Sequence, residues 1–310
     1  MEKVRRDFLK TAGAFAAGSL ILPFGCTPKN SGEKAEDAAA TAPVKTKDIG
    51  LQLYTLRNEI QTDGLEATLE KVANIGYKWM EAFGYENRKF LGKTPQEFSK
   101  ILSDLGMSMP SVHSVTEVSS SGGKEAIVDQ MKITAEDAIA AGSKYLVWAY
   151  LKAEDRTSMD DYKRHIETWN KFGEVCKETG IQFAYHNHDF EFIEFDGVKP
   201  YDVIMQETDP ELVKFELDLY WITKSGNDPV AYFQKDPGRF HLWHVKDIDP
   251  ADDFFAPVGQ GKIDFQKIFD ARETAGMKYF FVEQDATREG VSPLDTIAQS
   301  WNYLNEASFV

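Results

Sequence analysis

Thiols are almost absent from this chain: Cys26 and Cys176 are the two cysteines in 310 residues, which argues against a structural zinc site built on thiolates. Glycine-rich phosphate loops are missing as well. The first apolar run leads into Leu53-Tyr54-Thr55-Leu56-Arg57 where a dinucleotide-binding turn would need glycines, and no P-loop is present. Basic charge is in deficit, 35 Lys and Arg against 50 Asp and Glu, for a net charge of −15 spread along the chain. Nucleic-acid binding needs a concentrated basic face to displace counterions, so no nucleic-acid partner is expected.

The N-terminal segment reads as an address rather than as fold. Arg5-Arg6-Asp7-Phe8-Leu9-Lys10 precedes an apolar run, Thr11 to Phe24, that glycines interrupt and that is too short to span a bilayer comfortably. It resembles a twin-arginine export signal, and Gly25-Cys26 resembles the end of a bacterial lipoprotein cleavage site, although Pro23 and Phe24 depart from that box. The expectation is therefore a signal over residues 1–26, a flexible linker over 27–47 and a folded domain over 48–310. Such a protein is exported, periplasmic or lipid-anchored, and it meets a membrane only through its N-terminal signal or anchor. Acylation of Cys26 after cleavage would leave Cys176 as the sole thiol, so no intrachain disulfide is expected.

From Ile49 onward, apolar runs of strand length alternate with segments of helical period about eight times. Strands are expected at Ile49–Tyr54, Tyr77–Phe83, Ser108–His113, Tyr145–Ala149, Gln182–His188, Lys214–Leu219, Phe240–Val245 and Tyr279–Glu283. Between them, Leu65, Leu69, Val72 and Ala73 share a helical face that ends at Gly76, and Thr94-Pro95-Gln96-Glu97 reads as an N-cap with a capping box. Ser292-Pro293 opens the last helix in the same way, and Asp161–Thr179 and Asp264–Ala275 are further helices. Eight β-then-α units favour a closed (β/α)8 barrel, a TIM barrel of the α/β class, over a doubly wound open sheet.

Sites in such barrels sit at the carboxyl ends of the strands. Those ends carry Gln52, Tyr54 and Arg57; Glu81; His113; Tyr150; His186, His188 and Glu191; Glu216 and Asp218; His244, Lys246 and Asp247; and Glu283 with Gln284. Four consecutive strands thus supply imidazole or carboxylate where a structural core would take Val or Ile. Period two places His186 and His188 on one face, and places Lys214, Glu216 and Asp218 on another. Glu216 is expected to pair with Lys214 or with a neighbouring charge, leaving it a mainly structural role and Asp218 the site. Imidazoles from strands five and seven with carboxylates from strands six and eight form a mixed N/O set suited to a divalent metal, Mn, Co, Zn or Mg.

The pieces Ile49 to Arg57, Glu81, Tyr185-His186-Asn187-His188, Leu217-Asp218, Leu242-Trp243-His244-Val245-Lys246-Asp247, Val258 to Phe265 and Val282-Glu283 together resemble the sugar phosphate isomerase/epimerase family with the xylose isomerase-like barrel. The resemblance implies a divalent metal held by His188, Asp218, His244 and Glu283, with His186 able to replace His188 and otherwise the leading base. Glu283 would both ligate and relay protons. Tyr54, Arg57, Glu81, His113, Trp221, Lys246 and Lys262 would contact a small-molecule carbohydrate; a homo-oligomer is compatible with this reading.

Two departures bear on the reaction. Family epimerases typically carry glutamate on strand five, where His186 stands here, and a histidine three residues after the strand-six aspartate, where Trp221 stands. The resemblance implies proton abstraction α to a carbonyl of a keto sugar, ending in epimerisation or, in a lyase or dehydratase, in β-elimination from a 3-keto-glycoside or an inosose-like substrate. A non-catalytic carbohydrate-binding lipoprotein is the alternative of another class.

Overall fold

The computed structural model describes residues 47–115 and 123–310; the expected signal and nearly all of the expected linker lie outside them. Eight parallel strands close in sequence order: β1 (Gly50–Gln52), β2 (Trp79–Ala82), β3 (Ser108–Val115), β4 (Tyr145–Trp148), β5 (Gln182–His186), β6 (Val213–Asp218), β7 (Leu242–Val245) and β8 (Tyr279–Val282), with β8 pairing back onto β1. Each falls on an apolar run expected from the sequence. The closed (β/α)8 barrel is therefore the observed fold.

Closure divides the buried side chains into two sets. Residues on the outward strand faces pack against the surrounding helices, as Leu51, Met80, Leu146, Phe183, Phe215 and Trp243 do. Inward-facing Tyr145, Val147, Ala184, Leu242 and Phe281 form a separate apolar plug, with Trp79 and Tyr279 packed against it. Gly50 is part of this plug by virtue of having no side chain. A Cβ there would strike the Phe280 carbonyl and the Phe281 ring, so the missing atom is what lets Phe281 enter the barrel.

The helices start and stop where local chemistry tells them to. Thr94 and Glu97 close a capping box on Pro95–Asp104, and the helix Leu65–Ile75 buries Leu65, Leu69 and Val72 before Gly76 ends it. Asp161 is not a helix start as expected: Ser158 caps the helix Met159–Thr179, and Asp161 is the capping-box partner at its third position. The expected single helix Asp264–Ala275 is two, Phe265–Asp270 and Arg272–Ala275, broken at Ala271. Ser292 makes no side-chain cap bond, so Pro293 alone marks the start of the helix Pro293–Glu306.

The loop that follows β7 is pinned by one carboxylate. Asp247 Oδ2 accepts the N–H groups of Gly259 and Gly261, and Oδ1 accepts those of Ile248 and Ile263. A Cβ on Gly261 would collide with that same carboxylate, so the Gly259-Gln260-Gly261 segment serves as a backbone cradle for Asp247. Among the described residues, no helix is long and apolar enough to cross a membrane.

Candidate metal centre

Directly above the apolar plug, the same strands turn ionisable. Period two puts His186 one step beyond Ala184, His244 one step beyond Leu242 and Glu283 one step beyond Phe281, all on the inward face. Lateral register then brings these positions level, with His186 opposite Glu216, Asp218 opposite His244, and His244 opposite Phe281. A layer of acids and imidazoles therefore sits across the barrel mouth, and nearly all of it is buried.

Two groups of potential ligand atoms converge there, each within 4.8 Å of one another: Asp218, His244 and Glu283 in one, and His113, His186, Glu216 and His244 in the other. His244 belongs to both. Its Nδ1 lies 2.6 Å from Glu283 Oε2 and 3.9 Å from Asp218 Oδ2, and its Nε2 lies 2.6 Å from Glu81 Oε2 and 3.3 Å from Glu216 Oε2. Glu81 is held in turn by Gln52 Nε2 at 2.8 Å and by the Ser111 hydroxyl. Three imidazoles gather on one oxygen, Glu216 Oε2, from 2.5 Å for His113 and 3.1 Å for His186.

Asp218 has a divided role that follows from its place at a strand–helix junction. Its Oδ1 accepts the Trp221 N–H and so caps the helix Leu219–Lys224, while the Asn187 side chain accepts the Asp218 N–H. Its other oxygen, Oδ2, is buried with the Lys246 ammonium 2.9 Å away, while Glu216 Oε1 is buried without a hydrogen-bond partner. Anionic oxygens in a buried site are costly unless a cation meets them. With the neighbouring imidazoles they make a donor set that fits a divalent ion.

Electrostatics point the same way. Burial raises the Glu81 and Asp218 carboxyls, and it pushes Glu216 up to about 6. Burial alone would lower His244, yet the carboxylates of Glu216, Glu283 and Glu81 together hold it well above the ordinary histidine value. The other imidazoles remain neutral: burial pushes His113 down to about 4, His188 down to about 3 and His186 well below its usual value. Neutral imidazoles keep a lone pair for a proton or a metal.

The expected site residues divide into those this layer gathers and those it leaves outside. His186, Glu81, His113, Asp218, His244, Lys246 and Glu283 are in it. His188 is not in either ligand group, because β5 ends at His186 and the strand period stops with it. There the His188 N–H donates to Glu191, and its ring stacks on Phe190 and lies 5.0 Å from His186 and 5.7 Å from Trp221, with Nδ1 buried and unpartnered. Lys262 is paired with Asp253, both half-exposed. Arg57 lies 4.3 Å over the exposed Tyr54 ring and donates to the backbone oxygens of Tyr54 and Asp285.

Glu216 corrects the sequence expectation. Lys214 does not pair with it: the acidic charges acting on Lys214 are Glu211, Asp236 and Asp209, opposed by Arg239, a different set from the imidazoles that crowd Glu216. Two residues of strand, roughly 6–7 Å, separate an ammonium near the plug from a carboxylate in the ionic layer. Asp285 was missed. It lies in the loop beyond β8, outside any strand period, and its Oδ2 is 2.9 Å from Lys246 Nζ.

A barrel whose carboxyl end gathers acids and imidazoles defines a class, and comparison with known proteins places the chain within it. Residues 69–307 match the xylose isomerase-like TIM barrel family, and the chain belongs to that family. A solved sugar phosphate isomerase/epimerase from Parabacteroides distasonis ATCC 8503 is 32% identical, with TM-score 0.75, over 85% of this chain and 99% of that one. An inosose dehydratase from Geobacillus thermodenitrificans is 27% identical over 159 residues, 46% of this chain and 53% of that protein. The chain thus spans about half the length of the curated relatives it matches. The IolI protein, solved with a bound zinc atom, shares the fold at 15% identity with TM-score 0.66.

Proposed function

We propose that this chain is a divalent-metal-dependent enzyme acting on carbohydrate, which removes a proton α to the carbonyl of a keto sugar. The observation that carries this is the buried group Asp218, His244 and Glu283, whose ligand atoms lie within 4.8 Å of one another, beside a neutral His186. A bound Mn, Co, Zn or Mg ion would polarise the substrate carbonyl and so acidify the neighbouring C–H. The zinc atom in the IolI relative and the names of the epimerase and dehydratase relatives support the same class of chemistry.

The protein's own part is to hold and move the proton. With the His186 proton on Nδ1, donated to Glu216 Oε2 at 3.1 Å, its Nε2 keeps the lone pair and lies 3.8 Å from Asp218 Oδ2, beside the proposed ligand group. Trp221 and Tyr150 offer ring surfaces next to His188, against which an apolar sugar face can stack. Returning the proton to the opposite face would give an epimer. Expelling a β-substituent would give a lyase or dehydratase product.

A second reading, elimination, is favoured by one observation. β5 ends in the imidazole His186 and carries no carboxylate, so Glu283 has no matching acid from that strand to exchange protons symmetrically across a substrate. The inosose dehydratase relatives agree with it. The test is incubation of metal-loaded protein with keto sugars and 3-keto-glycosides in D₂O, followed by NMR. α-Deuteration with a new epimer supports epimerisation, and release of the aglycone or of water supports elimination. No exchange from either substrate class, together with sugar binding that survives chelation, would establish the non-catalytic carbohydrate-binding alternative.

Export and lipid anchoring are part of the proposal, supported by Arg5-Arg6 and Cys26. Replacing both arginines by lysine should retain the protein in the cytoplasm, and Cys26→Ser should release it from membranes during fractionation.

A further inference from the structure

Lys246 is an ammonium placed where three carboxylates meet. Its Nζ lies 2.9 Å from Asp218 Oδ2, 2.6 Å from Glu283 Oε2 and 2.9 Å from Asp285 Oδ2, and the side chain is 2% exposed. Two of those acids belong to the ligand group formed with His244; Asp285 does not. Asp218 has a single oxygen to offer, because Oδ1 is committed to the Trp221 N–H. Glu283 Oε2 is already shared between Lys246 and His244 Nδ1.

We propose that Lys246 competes with the divalent cation for Asp218 and Glu283, and that Asp285 is the partner that receives its ammonium when the cation is held. This rests on the metal-dependent reading given above. An ammonium and a dication drawn to the same pair of oxygens repel each other in a buried site, so each weakens the hold of the other. A lysine ammonium is a compact charge on a flexible four-carbon stem, so it can exchange one carboxylate for another by rotating its last bonds. Asp285 is placed for the exchange: its side chain is already in contact with Nζ, and Arg57 Nη2 donates to its backbone oxygen at 2.8 Å and fixes the loop. The Trp221 ring centroid lies 5.9 Å from Nζ.

The consequence is a link between loading and recognition. Cation binding turns Lys246 from a structural counter-ion into a donor beside Trp221, where it can meet a sugar oxygen. Asp285 is then a positioning residue, acting through Lys246.

Titration of chelator-treated full-length protein with Mn²⁺, followed by calorimetry and by thermal unfolding with and without the ion, tests this without any substrate. Lys246→Met should bind Mn²⁺ about tenfold or more tightly than wild type and gain more thermal stability from it, because the competing charge is gone. Asp285→Asn should bind several-fold more weakly, since Lys246 then has nowhere else to go. In the Lys246→Met background, Asp285→Asn should change little. Equal or weaker Mn²⁺ binding by Lys246→Met overturns the competition, and an equal loss from Asp285→Asn in both backgrounds overturns the role of Asp285 as receiver. Should Lys246→Met fail to fold without metal, an Asp285→Asn protein that binds as well as wild type overturns it independently. Absence of Mn²⁺, Co²⁺, Zn²⁺ and Mg²⁺ binding by wild type would overturn both this inference and the metal-dependent reading beneath it, whereas normal wild-type binding with an unaltered Lys246→Met overturns the inference alone.

Discussion

The two ends of the barrel interior are made from the same strands and do opposite things. Ala184, Leu242 and Phe281 face inward near the amino ends and bury apolar surface; His186, His244 and Glu283 face inward one pleat higher and bury charge. The lower layer is gained cheaply, because a side chain such as Phe281 contributes roughly 1.5–3 kcal/mol when taken out of water. The upper layer gathers Glu81, Glu216, Asp218 and Glu283 around imidazoles and one lysine, which costs stability unless every charge is met. A barrel can carry so acidic a mouth because the plug beneath it and the core outside it are apolar.

If the layers are as separate as their chemistry, substitutions should sort cleanly between stability and metal binding. The largest stability loss is expected for Phe281→Ala, which empties the plug opposite Gly50. It should cost about 3–5 kcal/mol in denaturant unfolding while metal affinity stays within a few-fold. Asp218→Asn should do the reverse. The amide oxygen still caps the helix Leu219–Lys224, so folding is preserved or slightly improved. Mn²⁺ affinity should fall roughly 100-fold or more, the upper end of what outer-shell changes cost. A variant that lost stability and metal together at either site would show that the layers are one cooperative unit. Thr94→Ala, far from both, should cost about 1 kcal/mol through the lost capping box and leave metal binding untouched.

The sequence made the architecture legible because the strands are apolar runs that lead into polar residues, and helices such as Pro95–Asp104 and Met159–Thr179 carry their own caps. The candidate site was legible to the extent that it continues a strand. His244 and Asp218 lie on their strands and Glu283 directly follows one, and all three come together. Between His186 and His188 the sequence left the choice open, and β5 ends at His186, the one that joins a ligand group. Lys214 stood beside a neighbouring charge as a candidate partner for Glu216 because alternation reports the face but not the height along the barrel; the neighbouring imidazoles are the partners. Asp285 had no signal at all, since a loop residue beyond β8 is placed by tertiary contacts with Lys246 and Arg57 that no local pattern encodes. Asp270 and Arg272 likewise stand in a continuous helical pattern, while the backbone breaks at Ala271 between them.

The smallest expected effect sharpens the comparison most, because it uses two histidines three residues apart. His241 precedes β7 at the plug end, with Nδ1 3.0 Å from the Tyr145 hydroxyl; His244 lies on the same strand in the ionic layer. Burial, then the nearby Lys214 and Lys278, push His241 from 6.5 down to about 4, whereas the carboxylates around His244 raise it. For His241 the neutral form is the one the folded chain favours. Below about pH 6.5 the unfolded chain takes up a proton that the folded chain refuses, so stability falls as pH drops and the loss is complete near pH 4. His241→Gln removes that penalty along with the Tyr145 contact. Its thermal unfolding midpoint should sit below that of wild type at about pH 7.5, and the gap should narrow as the pH is lowered to about 5. A gap that stays constant over this range would mean that His241 is not held neutral, and that the plug end of the barrel is less apolar than its packing implies.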